Sequence, residues 1–537
     1  MNFEQVQKYS ENLMSYMNTY KTEWQTISEF ICPHRGRFDN SSPKFRATNY
    51  KKFINSTAAI ALNTLTAGLL TGVAAPNRNW FFPVKRAGKA AGAKTLTKGD
   101  LWLEEHQETI LQGCALSNFY SSLKEMYEEG AVFGPSLAVI YPDNESIFRI
   151  ETLTVGTYAV ALDARGHAAA ATHFIYKPVG DIIAEYDEKF IPQKIKDEFK
   201  NGAIDKSYKI WHMILPEKQY ENGKGEDFIG IFWIDGEKSY LSLEKFPYNP
   251  LLYYRWAKTE SSDLFGYGIG KQILGDIKAL AKLEEDKYLG VDLITFRPVQ
   301  YNSARVQGKM NLNPKGQTEF IGDTPAIVPI DVASPQLNEL SNLVSQIEGR
   351  IYKSFYYDIF LAMLSSTREK TAREVDSMEA EKILMIGPMY ENIKYDLLLP
   401  FLRAATKIAI SGGFLSKPPA ELKNLLNVDF DTTVAQVQKS RTVDNTDAFF
   451  VRLTTLAQAG KPAVMDWINE DNYVLDLREK LSVQPSLLKQ SSEVSTLREA
   501  QAAQQSAQAQ AASLQQMVAT AKEASAIDPE KLSELGV

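Results

Sequence analysis

The sequence predicts an α+β chain, mainly helical, divided among about three or four domain-sized units. Three observations carry this reading. Apolar residues recur at helical spacing near the N-terminus and again beyond residue 269. Between residues 131 and 256 the pattern changes to short alternating runs punctuated by Gly and Asp, as strands require. The 537 residues, 44% hydrophobic and 23% charged, have globular composition and exceed what one core can organise.

Phe3, Val6, Leu13, Met17, Tyr20, Trp24, Ile27 and Ile31 fall close to a 3.5-residue period and predict one long amphipathic helix. Cys32-Pro33 ends it, because the residue before proline avoids the α region. A polar loop follows over 35–42. Residues 58–75 carry no charge, but Asn63, Thr64, Thr66 and Thr71 interrupt the apolar run and Gly68 and Gly72 weaken it. A membrane span needs about 20 strongly apolar residues, so a buried helix is expected. Ile60, Leu65, Leu69 and Val73 would be its stripe. Ala61, Gly68 and Gly72 would admit the close approach of another backbone. A turn cluster at 76–79 leads into Trp80-Phe81-Phe82-Pro83, which would bury a large aromatic area.

Residues 100–130 read as helices. Strands follow, among them 136–141 and 173–176, with turns at Gly156, Asp163 and Gly166. Residues 207–256 read as further strands. The clearest is 228–234, followed by the Asp235-Gly236 hairpin signal. From 269 to about 293 the pattern is helical, with Ile273, Ile277, Leu280, Leu283 and Leu289 apolar. Residues 294–336, rich in Pro, Gly and Asn, form a small α+β insertion. A second helix over 338–361 carries Leu340, Leu343, Val344, Ile347, Ile351 and Phe355 on one stripe, so the two helices should pair antiparallel around the insertion. After a polar break at 364–370, Thr371-Ala372-Arg373-Glu374 has capping-box spacing and opens a helix running through Ile383, Ile386, Met389, Ile393 and Leu397. Pro388 should kink it and Pro400 interrupt it again. Gly412-Gly413 and Pro418-Pro419 end the region. Residues 430–485 read as helical, including 443–458 and 463–466. In 500–526, 11 Ala and 7 Gln dominate. Positions 497, 500, 504, 507, 511, 514, 518 and 521 keep a 3-4 spacing, a small-residue coiled-coil seam that favours packing against copies of itself.

Charge and motifs bound the chemistry. With 59 basic against 66 acidic residues the net charge is −7, which excludes a uniformly polycationic DNA clamp and leaves any nucleic-acid contact local or weak. Cys32 and Cys114 fit no zinc or CxxC spacing and indicate a reducing compartment without disulfides. His34, His106, His167, His173 and His212 form no close ligand pair, so no metal site is expected. The N-terminus has neither the basic nor the apolar region of a secretion signal. Around Gly266-Tyr267-Gly268-Ile269-Gly270, a phosphate loop would need Gly at Phe265 and a hydroxyl at Gln272. A dinucleotide fingerprint would need Gly at Lys271. Both readings fail, and a flexible Gly-rich lead into the helix is expected. There is no GxSxG elbow, and the acidic runs at 284–286 and 429–431 lack calcium-loop spacing. No catalytic residue and no cofactor is therefore expected. Lys271, Lys278 and Lys282 share one helix face with Asp276, Glu284 and Glu285 around them, which suits solubility or a surface that DNA passes without sticking.

The order of features over about residues 50–420 resembles one family. It comprises Leu65-Thr66-Ala67-Gly68-Leu69-Leu70 before Pro76 and Trp80-Phe81, then Glu129-Gly130-Ala131-Val132-Phe133-Gly134. Phe246-Pro247-Tyr248 and Arg255-Trp256 precede Phe265-Gly266-Tyr267-Gly268, followed by Ile277-Lys278-Ala279-Leu280 and Arg297-Pro298. Thr371-Ala372-Arg373-Glu374-Val375 and Gly387-Pro388 complete it. The chain resembles the head-to-tail connecting, or portal, proteins of podovirus-type, short-tailed bacteriophages.

That resemblance implies a mainly helical α+β portal fold with a wing, a two-helix stem, a small α/β clip and a helical C-terminal crown. The wing would take 1–265, the stem helices 266–293 and 338–362, and the clip 294–337. A tunnel loop would occupy 363–371, a long kinked wing helix region 372–429, the crown 430–490, and the Ala/Gln tail or barrel 491–537. It also implies a homo-oligomeric ring, usually of about twelve subunits, assembled in the host cytoplasm and carried in the virion at the capsid portal vertex. Double-stranded DNA would pass through its channel during packaging and ejection. The other implied partners are the major capsid protein, the terminase large subunit, a tail adaptor protein, and scaffolding or internal core proteins. Arg368 and Lys370 would be DNA-proximal, with Lys271, Lys278 and Lys282 as further channel candidates. No enzymatic activity is implied, since a separate terminase hydrolyses ATP. Two other readings remain open from the residues alone: a phage-associated metal-dependent hydrolase using scattered carboxylates, and a membrane-inserting protein resting on 58–75.

Overall fold

The computed structural model describes residues 1–39, 52–85, 98–220, 225, 227–311, 318–322, 327–329, 337–365, 386–419, 422, 426–430, 433–458, 467, 473–474, 477 and 491–525. The fold is α+β and mainly helical. The chain divides into two units. One comprises Met1–Phe82, His106–Ser416 and Phe430–Ala435; the other comprises Pro83–Glu105, Lys417–Asp429 and Gln436–Val537.

In the first unit the N-terminal helical pattern is realised as two helices, α1 (Phe3–Asn18) and α2 (Lys21–Ile31). At Thr19–Tyr20 the backbone tightens to i→i+3 hydrogen bonds. That step turns the Tyr20 ring onto Trp24 and Phe265, 5.5 and 5.0 Å between centroids. Aromatic packing thus breaks what periodicity reads as continuous. Cys32 leaves the helix at φ −143°, as Pro33 requires.

Helix α3 (Thr57–Val73) is buried as expected through Leu65, Leu69 and Val73, joined by Leu62. Ile60, expected in the stripe, is exposed. The small-residue strip admits a side chain rather than a backbone: the Phe360 ring sits against Gly68. Among the described residues no helix is long and apolar enough to cross a membrane. Trp80 and Phe81 are fully buried, and Trp80 stacks on Phe119 at 5.8 Å.

The chain continues through β1 (Phe81–Lys85), α4 (Lys98–Leu116) and α5 (Phe119–Phe133) into the strands. β2 (Pro135–Asp143), β3 (Ile147–Leu153) and β9 (Leu251–Arg255) form an antiparallel sheet in the order β3-β2-β9. β4 (Tyr158–Leu162), β5 (Ala168–Pro178), β6 (Ser207–Pro216), β7 (Phe228–Ile234) and β8 (Tyr240–Phe246) form a five-stranded antiparallel meander. Its two faces use alternate residues, as a pleated sheet demands. Ile229, Ile231 and Trp233 pack with Val6 of α1, whereas Phe232 and Ile234 pack with α6 (Val179–Glu185) and α7 (Gln193–Lys200). The Asp235-Gly236 hairpin forms as read, with Gly236 at φ +82°.

Helix α8 (Ile269–Thr295) and α9 (Leu337–Ser354) pack together through Ile273, Ile277 and Leu280 and through Val344, Ile347 and Ile351, all buried. Asp276 near the start of α8 meets Arg350 near the end of α9 at 2.8 Å, so the pair is antiparallel. Between them, the described insertion residues pair as β10 (Val299–Tyr301) with β13 (Ile327–Pro329) and β11 (Val306–Gln307) with β12 (Glu319–Phe320). The second helix does not run unbroken to 361. Tyr356 adopts φ +54°, and the chain restarts as α10 (Tyr357–Ser365). The break lets Phe355 and Phe360 both be fully buried.

The Thr371–Glu374 cap and the polar break beyond Ser365 lie outside the described residues. Past them, Pro388 stands in the first turn of α11 (Gly387–Ile393) and Pro400 in the first turn of α12 (Leu399–Ser411). Pro400 does not stop the helix. The preceding turn, Lys394–Leu398, widens to π geometry, and Leu399 N–H bonds Lys394 O five residues back. Further along the chain, β14 (Leu426–Phe430) precedes α13 (Thr433–Gln458), and the Ala/Gln segment forms α14 (Ser491–Ser525) with Leu497, Leu514 and Met517 exposed. Residues 463–466 lie outside the described residues.

Candidate functional site

The Gly-rich stretch before α8 is closely packed against neighbouring backbone. Gly266, at φ +62°, closes on Ala257, and Tyr267 N–H bonds Ala257 O at 3.0 Å. A Cβ on Gly268 would stand 2.6 Å from Ala131 O, and one on Gly134, at φ +109°, 2.7 Å from Tyr267 Cα. Glycine is needed here for backbone-to-backbone contact between the end of α5 and the start of α8. Asp263 fastens the turn by accepting from Gly266 N–H at 2.9 Å.

Arg255, 1% exposed, donates to Gly166 O at 2.8 Å and to Asp263 O, so the buried cation is held by carbonyls. Glu129 is also buried and accepts from Val155 N–H at 2.6 Å and Thr154 Oγ1 at 2.8 Å. Burial pushes its pKa up to about 7. The residues Glu129 to Gly134 and Arg255 to Gly268 thus meet at one structural junction.

The lysines of α8 lie beyond it. Lys271 pairs with Glu23 of α2 at 2.9 Å. Lys278 approaches the Phe30 ring of the same helix at 5.9 Å. Lys282 pairs with Asp286 at 2.9 Å and Glu285 at 3.4 Å, and the hydrogen bond to Asp286 raises its pKa. Two of the three therefore turn toward α2, and the third is paired within its own helix. Arg368 and Lys370 lie outside the described residues.

The distal half of the α8–α9 pair has the opposite character. Past Glu284 the single chain leaves Tyr288, Leu289 and Phe296 exposed, Phe296 at 77%, and the insertion adds Phe320 and Ile321. Leu289 and Leu343, read from the sequence as apolar helix positions, are exposed in the single chain. The helical period did signal these apolar positions, but period cannot say whether the cover comes from the same chain.

Among the described residues, the one group of three His, Cys, Asp or Glu with convergent ligand atoms is Cys32, His34 and Glu128. No carboxylate trio of the kind a metal-dependent hydrolase needs is found among them. Sequence spacing missed the convergence, because His34 and Glu128 are 94 positions apart.

A paired-helix element with a charge-paired base and exposed apolar residues at its far end has the surface of a protein that works in contact with a partner. The comparisons with known proteins agree. Residues 4–488 match the family model described as bacteriophage head to tail connecting protein. The chain is 26% identical to the probable portal protein of Bordetella phage BPP-1, over 97% of this chain and 95% of that one. It is 24% identical to the portal protein of Salmonella phage epsilon15, over 99% and 97%. The chain belongs to the bacteriophage head to tail connecting protein family, and its function is that of a phage portal.

Proposed function

We propose that copies of this chain close into a ring of about twelve subunits at one capsid vertex, through which double-stranded DNA is packaged and ejected. In this reading α8 and α9 are the stem and the short-stranded insertion is the clip. The clip docks the terminase large subunit during packaging and the tail adaptor protein afterwards. The β-rich region within 1–265 is the wing, facing the major capsid protein, and the residues after 430 are the crown and tail, facing scaffolding or internal core proteins. The ring assembles in the host cytoplasm and remains in the virion. It acts as a conduit, with ATP hydrolysis supplied by the terminase.

The observation that carries the reading is the exposed apolar far end of α8 and its insertion, beside family membership across the chain. Large contiguous apolar surface on a single chain marks an interface. A closing ring needs two different faces on each subunit, one covering the other. Arg368, Lys370, Lys271, Lys278 and Lys282 are the candidates for facing DNA. The pairing of Lys271 and Lys282 with carboxylates fits a wall that does not hold phosphates, because strong counterion release would stall moving DNA.

Size-exclusion chromatography with light scattering tests the proposal. A ring of roughly several hundred kDa is expected, against 60.2 kDa for one chain. A monodisperse monomer under all salt conditions would refute it.

A further inference from the structure

Cys32, His34 and Glu128 meet where the end of α2 faces α5. The approach is fixed by the backbone. Arg35 N–H closes a turn on Cys32 O at 3.0 Å, Ser28 Oγ donates to Arg35 O at 2.7 Å, and Gly36 N–H donates to Thr154 Oγ1 at 2.8 Å. On that turn Cys32 Sγ lies 3.5 Å from His34 Nε2 and 3.3 Å from Glu128 Oε1, with Nε2 and Oε1 2.8 Å apart.

We propose that this trio is a binding site for a zinc-class divalent ion, with Cys32 Sγ, His34 Nε2 and Glu128 Oε1 as ligands and solvent in the fourth position. Ordinary zinc bond lengths at tetrahedral angles put S about 3.5 Å from N or O, and N about 3.3 Å from O. Both sulfur edges already match within a few tenths of an ångström. The N–O edge opens by about half an ångström as the ion replaces the hydrogen bond between them. The donor set selects the ion: magnesium and calcium favour oxygen, whereas a thiolate with an imidazole suits zinc.

One charge opposes the ion, and its placement limits the effect. Arg35 Nε and Nη2 lie 3.3 and 3.2 Å from Glu128 Oε2, the oxygen turned away from the trio. Arg35 therefore fixes the carboxylate and leaves Oε1 facing Cys32 and His34, the usual work of a group behind a ligand. Its charge is shared with Glu125 at 3.8 Å. Cys32 is buried while the His34 side chain is 59% exposed, so the ion reaches the site from the His34 side. The thiol must lose its proton to bind, so each ion taken up releases one proton to solvent.

Cobalt(II) is the probe. The full chain, stripped with a chelator and titrated with cobalt, should bind one ion per trio and show a thiolate-to-cobalt charge-transfer band that zinc then abolishes. Cys32→Ser should lose the band, and Cys114→Ser should keep it. His34→Ala, at an exposed position, should retain the ring and weaken binding at least about tenfold. No thiolate band at excess cobalt would overturn the proposal, as would a band that survives Cys32→Ser. Unchanged affinity in His34→Ala would also overturn it, and that variant decides the matter if Cys32→Ser does not fold.

Discussion

At Gly68 a single hydrogen atom separates a packed helix from a clash. A Cβ there would lie 2.2 Å from Phe360 Cδ1 and 2.6 Å from Cγ. Gly→Ala in a helix ordinarily gains about 1 kcal/mol, whereas overpacking a rigid core costs about 1–3 kcal/mol. Gly68→Ala should therefore lower the urea midpoint despite its better helix propensity. A second residue-scale prediction concerns His173 and His212, register partners on β5 and β6 whose rings lie 4.8 Å apart. Burial lowers the His173 pKa to about 4, and burial, His173 and Lys177 lower that of His212 as well. Between about pH 6.5 and pH 4 the unfolded chain binds protons that the folded one refuses, so stability falls as pH falls through this window. The loss reaches about 3 kcal/mol for His173 at the bottom of it. Tryptophan fluorescence during urea unfolding should show a shallower pH slope in His173→Gln than in the native chain. The structure adds a local feature that the sequence reading passed over, the Asn2–Gln5 capping box, with hydrogen bonds of 2.9 and 3.0 Å. The histidine pair needs strand register, which no short window contains.

Elements were legible in their kind more than in their ends. The period of 3.6 placed α3, α8, α9 and α11, but it overran the left-handed residue at Tyr356 and the step at Tyr20, where the ring packs on Trp24 and Phe265. It also passed over α6 and α7, too short for a period to show. Proline was read as a breaker, yet at Pro400 the π turn moves the hydrogen-bond ladder by one residue and the helix continues. Tyr356 offers a test. A non-glycine residue at φ +54° costs roughly 1–2 kcal/mol. Tyr356→Gly and Tyr356→Val both remove the ring, so packing loss largely cancels between them. The glycine variant should be the more stable by about that amount, read from their thermal midpoints.

At the scale of the molecule, composition predicted a slightly acidic chain of three or four domain-sized units, whereas the chain divides into two, and Lys271 and Lys282 are paired with carboxylates. It could not foretell the Cys32–His34–Glu128 meeting, because spacing rules see ligands only when they are near in the chain. If the body of the chain carries the ring contacts, deleting residues 495–537 should leave the oligomer intact by light scattering. Loss of every oligomer would assign assembly to α14 instead. A mechanical property follows from the junction of Gly134, Tyr267 and Gly268. Side chains cushion most helix contacts, because rotamers yield under load. Here bare main chain abuts bare main chain, and nothing between can compress. A load along α8 reaches β2 and β9 through main chain in direct contact, so the helix is coupled to the sheet as a stiff lever rather than as a spring.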